Sequence, residues 1–432
     1  MMIDPVRDLI DFLNASPVNF YAVHEAKKRL SDAGFSELLM SDAWTLSPGD
    51  RHFVTINDSA LFAFIVGKNT QTPSFHIIAS HCDSPGFRIK PNPEILCEGN
   101  IVKLNTEVYG GPILYTWFDR PLSIAGRVML RSDNPLKPNV NLVKFDEPLL
   151  TIPHLAIHFN RSVNEGNPLS KQKDMLPVLG KIESGDKAKG LVKRLVAEKI
   201  NVNVDDILDC DLNLYDTSPA ERIGLGGEFI SGGRIDNLSM VHASLSSIIA
   251  EADNTTDSTR VVAIFDNEET GSSSKQGAGS PFFEFILRRI GQSLGLGESD
   301  FYRAVANSFL ISADNAHGLH PNYVEKQDLT NHPVLGGGPV IKINANGKYM
   351  TDADSSAVFR ELCRIADVPC QEFVNHSDVA GGSTLGNILT GSLPVRGVDM
   401  GAPVWAMHSV RETASAFDHI ATIKAFSAFF SL

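Results

Sequence analysis

Between Arg260 and Ala278 the chain reads RVVAIFDNEETGSSSKQGA. Val261 to Phe265 is a short, β-branched apolar run, as expected of a strand buried on both faces. It stops at Asp266-Asn267-Glu268-Glu269. Adjacent glutamates at the end of a buried strand are costly, because like charges taken out of water repel and lose hydration. A bound cation offsets that cost. If one carboxylate ligates a metal, its neighbour is free to act as a general base on water. A lone Glu-Glu pair is more often a solvated loop, so the weight comes from how other strands end.

A second strand pattern, Phe75 to Ser80, runs into His81-Cys82-Asp83, and in His-x-Asp the carboxylate can orient the imidazole. A third, Ser308 to Ser312, meets Asp314 in SADNAHGLHPNY. Three strands thus deliver His81, Glu268/Glu269 and Asp314 at their C-terminal ends, the edge where open α/β sheets build sites. Asp236 stands just ahead of a helical pattern, Leu238 to Ala252, as either an N-cap or a buried ligand. The segment WAMHSVRE adds His408 as a further candidate ligand. The Gly-rich stretch GLGGEFISGGRIDN has neither the strand-GxGxxG-helix order nor a P-loop Lys-Ser/Thr, which argues against nucleotide binding. GGSTLGNI (Gly381 to Ile388) offers backbone donors in a loop before a helix.

These residues need a scaffold, and 432 residues suffice for a large core and two domains. With 43% hydrophobic and 21% charged residues the composition is that of a soluble globular protein. A net charge of −13 disfavours nucleic acid or an anionic membrane as partner. No apolar run approaches the roughly 20 residues of a membrane span, and MMIDPVRDLIDFLNASP carries too many charges for a signal peptide. Five cysteines without CxxC spacing indicate neither a disulfide framework nor a thiolate zinc site. The expected location is the cytoplasm.

Helical patterns from Asp4-Pro5 and from Tyr21 to Leu30 read as core-packing elements, and Leu61 to Val66 as a strand. From Lys90 the rhythm changes to β: Ile101 to Val108, Ser123 to Leu130, Val140 to Phe145 and Leu149 to Phe159, with a helix at Ala188 to Ile200 and a strand at Asp209 to Tyr215. This predicts a domain inserted over 92–229 into one formed by 1–91 and 230–432. Within it, His154 and His158 are four apart in IPHLAIHFNR. On a strand that spacing is roughly 13 Å, so an intrachain metal pair is disfavoured. Further helices are expected at Pro281 to Leu294 and Asp418 to Phe430, and a strand at Val340 to Ile343 bearing Lys342.

Taken together, ASHCDSPGFRIKP, IPHLAIHFNR, GGRIDN, FDNEETGSSSKQGA, SADNAHGLHPNY, GGGPVIKIN, GGSTLGN and MGAPVWAMHSVRE resemble the aspartyl aminopeptidase family of metallo-aminopeptidases, in family order from His81 to Glu412. The resemblance implies a zinc-exopeptidase-like α/β/α catalytic domain with a mainly β inserted dimerisation or lid domain. It implies two divalent ions, zinc with cobalt or manganese as alternatives. Asp236 would bridge them, His81 and Asp314 would complete one site, and Glu269 with His408 the other. Glu268 would be the general base and Asp83 would hold His81. Asp236-Asn237 matches the family's position for a cis non-proline peptide. The resemblance also implies dimers building a tetrahedral dodecamer, with His158 entering a neighbour's site.

On that reading the substrates are peptides with an N-terminal Asp or Glu. Lys342 is either the cation that pairs with the acidic side chain or a surface ion pair. His317, His320, Tyr349, Gly381, Gly382 and Ser383 are candidate substrate contacts, while His376 and His419 are left as structural. Two rivals remain: a dinuclear N-acyl amino acid deacylase with the same ligands, and a non-catalytic assembly protein on the same fold. The intact Glu268 argues against the second.

Overall fold

The structure, a computed structural model, describes residues 4–71 and 73–432. The chain divides into two compact units. One holds the chain up to Asp83 with Ala220–Met407 and Glu412–Leu432; the other holds Ser84–Pro219 and His408–Arg411.

The first unit is built on a nine-stranded mixed sheet. In spatial order its strands are Ser36–Glu37, Arg51–Ile56, Ala60–Ile65, Thr259–Phe265, Phe75–His81, Phe309–Ala313, Arg396–Gly401, Val340–Ile343 and Gln371–Val374. The four central strands run parallel, with Phe265 opposite His81 and Ala313 opposite Met400. Their near-continuous apolar character follows from cover on both faces. Along Thr259–Phe265 the pleat sends Val262 and Ile264 into one apolar cluster and Val261, Ala263 and Phe265 into the other. The first cluster is completed by helices Pro5–Ala15, Asn19–Asp32, Ile235–Ala250 and Ala416–Phe430, the second mainly by Phe282–Ser293. This is an α/β/α sandwich, as expected for the larger domain. A five-stranded sheet, Glu221–Ile223, Phe229–Gly232, Glu412–Ser415, Pro403–Trp405 and Ala316–His317, belongs to the same unit.

The second unit is an antiparallel six-stranded sheet in the order Asn139–Lys144, Leu122–Leu130, Ile207–Asp216, Gly86–Cys97, Ile101–Tyr109 and Val178–Lys181. Helix Leu191–Lys199 contributes Val192 and Val196 to its core beside Phe87, Trp117 and Ile124. The chain passes between the compact units at 83/84, 219/220, 407/408 and 411/412; the first of these falls just ahead of Gly86–Cys97, one continuous strand of this sheet.

Two sequence expectations differ locally. The expected strand over Leu149 to Phe159 is reduced to single bridges at Leu150, Thr151 and Ile152. Pro153 cannot donate to a ladder, and the chain continues irregularly into a 3-10 turn, Ile157–Phe159. The strand Arg51–Ile56, not anticipated, pairs antiparallel with Ala60–Ile65. Helix ends otherwise differ by a few residues, as where Gly190 in the left-handed region delays the expected start at Ala188 to Leu191.

One half-buried histidine gives the fold a pH signature. His76 stacks on Phe429 at 4.8 Å. Burial pushes its imidazole down from 6.5 to about 4, with the Arg260 charge acting in the same direction against a backbone hydrogen bond to Phe429. As the pH falls from 6.5 towards 4, the unfolded chain takes up this proton before the folded one. Folding stability is therefore lost across that window. Urea midpoints measured from pH 7 to 4 are expected to fall less steeply for His76→Phe than for the parent chain; equal slopes would rule out this histidine as a contributor.

Candidate active site

In-register pairing of Phe75–His81 with Thr259–Phe265 brings the two acid-bearing strand ends side by side. Asp314 follows the strand Phe309–Ala313 on the other flank of Phe75–His81. Asp236 lies in the first turn of Ile235–Ala250 but is non-helical, with φ −79° and ψ 108°, and the Asp236-Asn237 peptide is cis. Its N–H is held by Glu412 Oε2 at 3.0 Å, while Asn237 donates to the Ala313 carbonyl at 2.8 Å. Of the two readings left open by the sequence, N-cap or buried ligand, the conformation is that of a buried carboxylate turned off the helix into a cluster.

The imidazole of His81 is the hub. Its Nε2 lies 3.6 Å from Asp314 Oδ1, 3.8 Å from Asp236 Oδ1 and 4.0 Å from Glu268 Oε2. On the far side Nδ1 faces Asp83, 3.1 Å from the carbonyl and 3.4 Å from Oδ1. Candidate ligand atoms of His81, Asp236 and Asp314 all lie within 4.8 Å of one another, as do those of His81, Glu268 and Glu269. The two side-chain oxygens of Asp83 also accept the N–H groups of Glu268 and Glu269, each at 3.1 Å. One carboxylate thereby fixes both the histidine and the acidic turn.

Burial sets the electrostatics. Glu268 is pushed up to about 7, first by burial and then by the charges of Asp314, Asp83 and Asp236, against the pull of His81. Burial works against protonation of His81, yet hydrogen bonds to Asp314 and Asp83 and the Glu268 charge hold its pKa well above the usual value. Asp314 is half-buried, and the charge of Lys342 with the contact to His81 holds its carboxyl far below the carboxylate range. Imidazole and carboxylate donors gathered in a low-dielectric cluster form a chemically suitable set for zinc or a similar divalent ion. A cation there would offset the like-charge repulsion that adds to burial in raising Glu268.

Lys342 is not a surface group. It is 4% exposed, its Nζ lies 3.1 Å from Asp314 Oδ2, and it sits 5.8 Å over the Tyr349 ring. The surface ion pair considered from sequence is therefore a buried one, on a candidate metal ligand. Tyr349 packs with Ala316, Val340 and Phe373. A separate cavity of ≈ 310 Å³ brings together His317, His320, Gly381 and Gly382, with Lys326 and His376. None of its lining residues is a carboxylate. Ser383 is exposed and does not line it. His376, left as structural from sequence, belongs to this cavity; His419 is buried against His242, its Nε2 3.0 Å from His242 Nδ1. His158 lies on the exposed 3-10 turn of the second unit. His408 opens the His408–Arg411 stretch counted with that unit, with Nδ1 3.1 Å from the Gly111 carbonyl.

Several contacts escaped the sequence reading. Glu412 holding Asp236, Asn237 holding Asn315 N–H at 3.2 Å and Asn19 reaching Asp266 at 3.0 Å are long-range pairings. Only the polar residues flanking each motif hinted at them.

An α/β/α sheet whose strand ends gather imidazole and carboxylates around a cation-sized gap defines a metal-dependent hydrolase. Comparison with known proteins narrows the class. The family model described as Aminopeptidase I zinc metalloprotease (M18) matches residues 12–430. A probable M18 family aminopeptidase 2 of Clostridium novyi is 47% identical over 427 residues, covering 99% of this chain and 98% of that protein. The cryo-EM structure of an Ape4 and Nbr1 complex superposes with a TM-score of 0.95 at 36% identity, over 99% of this chain and 85% of that one. A solved dodecamer of S. cerevisiae mApe1 gives 0.86 at 26% identity, over 99% and 96%. The chain belongs to the M18 family of zinc metalloproteases and is an aminopeptidase. Among the described residues no helix is long and apolar enough to cross a membrane.

Proposed function

We propose that the enzyme removes acidic residues, Asp or Glu, from peptide N-termini at a pair of divalent ions, with zinc the leading candidate and cobalt or manganese as substitutes. His81, Asp236 and Asp314 would hold one ion; Asp236, Glu269 and His408 the other. The observation that carries this reading is the convergence of His81, Asp236, Glu268, Glu269 and Asp314 on one buried point from four separate chain segments. Bound there, the ions would polarise the scissile carbonyl and make water more acidic.

The chain's own residues then have distinct roles. Glu268 takes a proton from the attacking water and returns it to the departing amine, a role suited to a carboxylate whose burial raises its pKa. Asp83 keeps His81 in place and fixes the turn beneath Glu268. Lys342 holds Asp314 ionised through their contact and is the lysine proposed to meet an acidic substrate side chain. The carboxylate-free cavity of His317, His320, Lys326 and His376 supports the same preference, because a chain of net charge −13 has few surfaces that do not repel an acidic peptide.

Self-association is proposed through the second unit; the similar mApe1 of S. cerevisiae is solved as a dodecamer. Leu155, Ile157 and Phe159 are 55%, 52% and 80% exposed around His158, a concentration of apolar surface that association would bury. On this reading His158 reaches a neighbour's site. The five free thiols suit a reducing compartment such as the cytoplasm.

The test combines metal analysis with rates on Asp, Glu, Leu and Lys anilides. Chelation should abolish turnover and zinc should restore it. Charge-assisted recognition of a carboxylate, at about 1.5–3 kcal/mol, predicts kcat/KM about tenfold to a hundredfold higher for Asp or Glu than for Leu. Equal rates on Leu would remove the acidic preference, and hydrolysis of N-acetylated substrates would point to a deacylase instead.

A further inference from the structure

The turn carrying Glu268 and Glu269 is tied down by groups that the reaction itself does not use. It is a single 3-10 turn, Glu268–Thr270, set between Asn267 at φ +63° and Gly271 at φ +92°. A left-handed residue other than glycine is uncommon; asparagine tolerates it because its short amide hydrogen-bonds locally. Here Asn267 Oδ1 accepts from Ser274 Oγ and from Gln276 Nε2, both at 2.7 Å. The Asn267 carbonyl also accepts the Ser272 N–H at 2.8 Å. Asn267 is thus where the 266–276 loop is knotted to itself.

A second tie comes from the far end of the sequence. Asp266 is 2% exposed, and both its oxygens accept from Asn19 Nδ2, at 3.0 and 3.1 Å. Asp266 also accepts the Asn267 N–H at 2.8 Å. Asn19 is the first residue of helix Asn19–Asp32, which packs through Ala22, Val23, Ala26 and Leu30 into the main core. With Asp83 gripping the two glutamate N–H groups, the turn is held from three directions: a strand end, a helix start and its own loop. Every tie acts on backbone within a residue or two of Glu268.

The geometry points to Asn267 and Asn19 as positioning residues of the aminopeptidase reaction, fixing the backbone from which Glu268 and Glu269 project towards His81. This rests on the reading of Glu268 as the base. A misplacement of about 1 Å in such a group costs about a hundredfold in rate, whereas a tie serving only global stability would leave kcat unchanged in the folded enzyme.

The experiment uses the full chain loaded with zinc. Asn267→Ala removes both the left-handed preference and the acceptor, and is expected to lower kcat about tenfold to a hundredfold while KM changes less than about threefold and zinc content stays at the parent value. Asn267→Asp keeps the acceptor and tolerates the left-handed backbone, so it should recover most of the loss. Asn19→Ala, which leaves the loop's internal ties intact, should lower kcat more mildly. In the zinc-free protein, amide exchange over 267–272 should quicken in both alanine variants, with exchange in the central strands unchanged. Parent-like kcat in both alanine variants, no recovery in Asn267→Asp, or unaltered exchange at the turn would overturn the assignment. If Asn267→Ala does not fold, Asn19→Ala decides alone. An inactive Glu268→Gln beside a fully active Asn267→Ala rejects the positioning role only; an active Glu268→Gln rejects the base reading, and this role with it.

Discussion

Glu268→Gln is expected to lower kcat by about 10²- to 10⁴-fold, the range for losing a positioned general base, with zinc content and fold unchanged. The amide is nearly isosteric, so the contacts of the turn survive: the N–H groups of residues 268 and 269 still reach Asp83. What disappears is the group able to carry a proton between water and the departing amine. The chemistry demands that a carboxylate accept a proton near neutrality and release it again. In the metal-free chain burial and the charges of Asp314, Asp83 and Asp236 move Glu268 up to about 7; bound cations would offset those charges, and burial is the cause that remains to keep the carboxylate a better base than an exposed one. Its neighbour Glu269 shares the turn but is the one proposed as a ligand, so Glu269→Gln should instead lower zinc content. Rates at saturating substrate, paired with metal analysis of the same preparations, separate the two. Parent-like turnover in Glu268→Gln would take this residue out of the mechanism.

How much of this is legible in the sequence depends on whether the signal is local. Val261 to Phe265, Phe75 to Ser80 and Phe309 to Ser312 announce buried parallel strands by composition alone, and their order along the chain places His81, Glu268/Glu269 and Asp314 at one sheet edge. The site's members are therefore readable once three strands are seen to end in chemistry. Asp236 is legible as a residue but not in conformation, since nothing local distinguishes an N-cap from a carboxylate turned off the helix axis. Its orientation depends on Glu412, 176 positions later. Lys342 illustrates the same limit. From sequence it is either a cation for an acidic substrate or a surface ion pair; it is in fact buried, and the Asp314 charge compensates that burial. The irregular segment after Ile152 misleads for another reason: its Leu, Ile and Phe side chains mimic a strand pattern while standing in solvent. Apolar residues on a surface carry strand-like periodicity without a partner strand, and sequence alone cannot separate the two.

Asp236→Ala is expected to abolish turnover and metal retention together, whereas removal of a ligand confined to one ion should spare the other. The reason lies in its placement: 3% exposed, 3.8 Å from His81 Nε2, and off the helix axis, it is the carboxylate assigned to both ions. Loss of a partner that merely supports a ligand weakens metal binding about 10–100-fold, so loss of a shared ligand should exceed that. The same substitution makes an opposite prediction for the metal-free protein. Asp236 is one of the charges that push Glu268 upwards. Deleting it relieves like-charge repulsion in a buried cluster, and the zinc-free variant should unfold no earlier than the zinc-free parent despite the small void left by the side chain. Thermal unfolding of both proteins after chelation, then after zinc addition, reads the two effects separately. The parent should gain stability on zinc addition through ligand linkage, and Asp236→Ala should gain little. A variant that binds zinc as the parent does would show that this carboxylate is no shared ligand, and the paired-ion reading would lose the residue that joins its two halves.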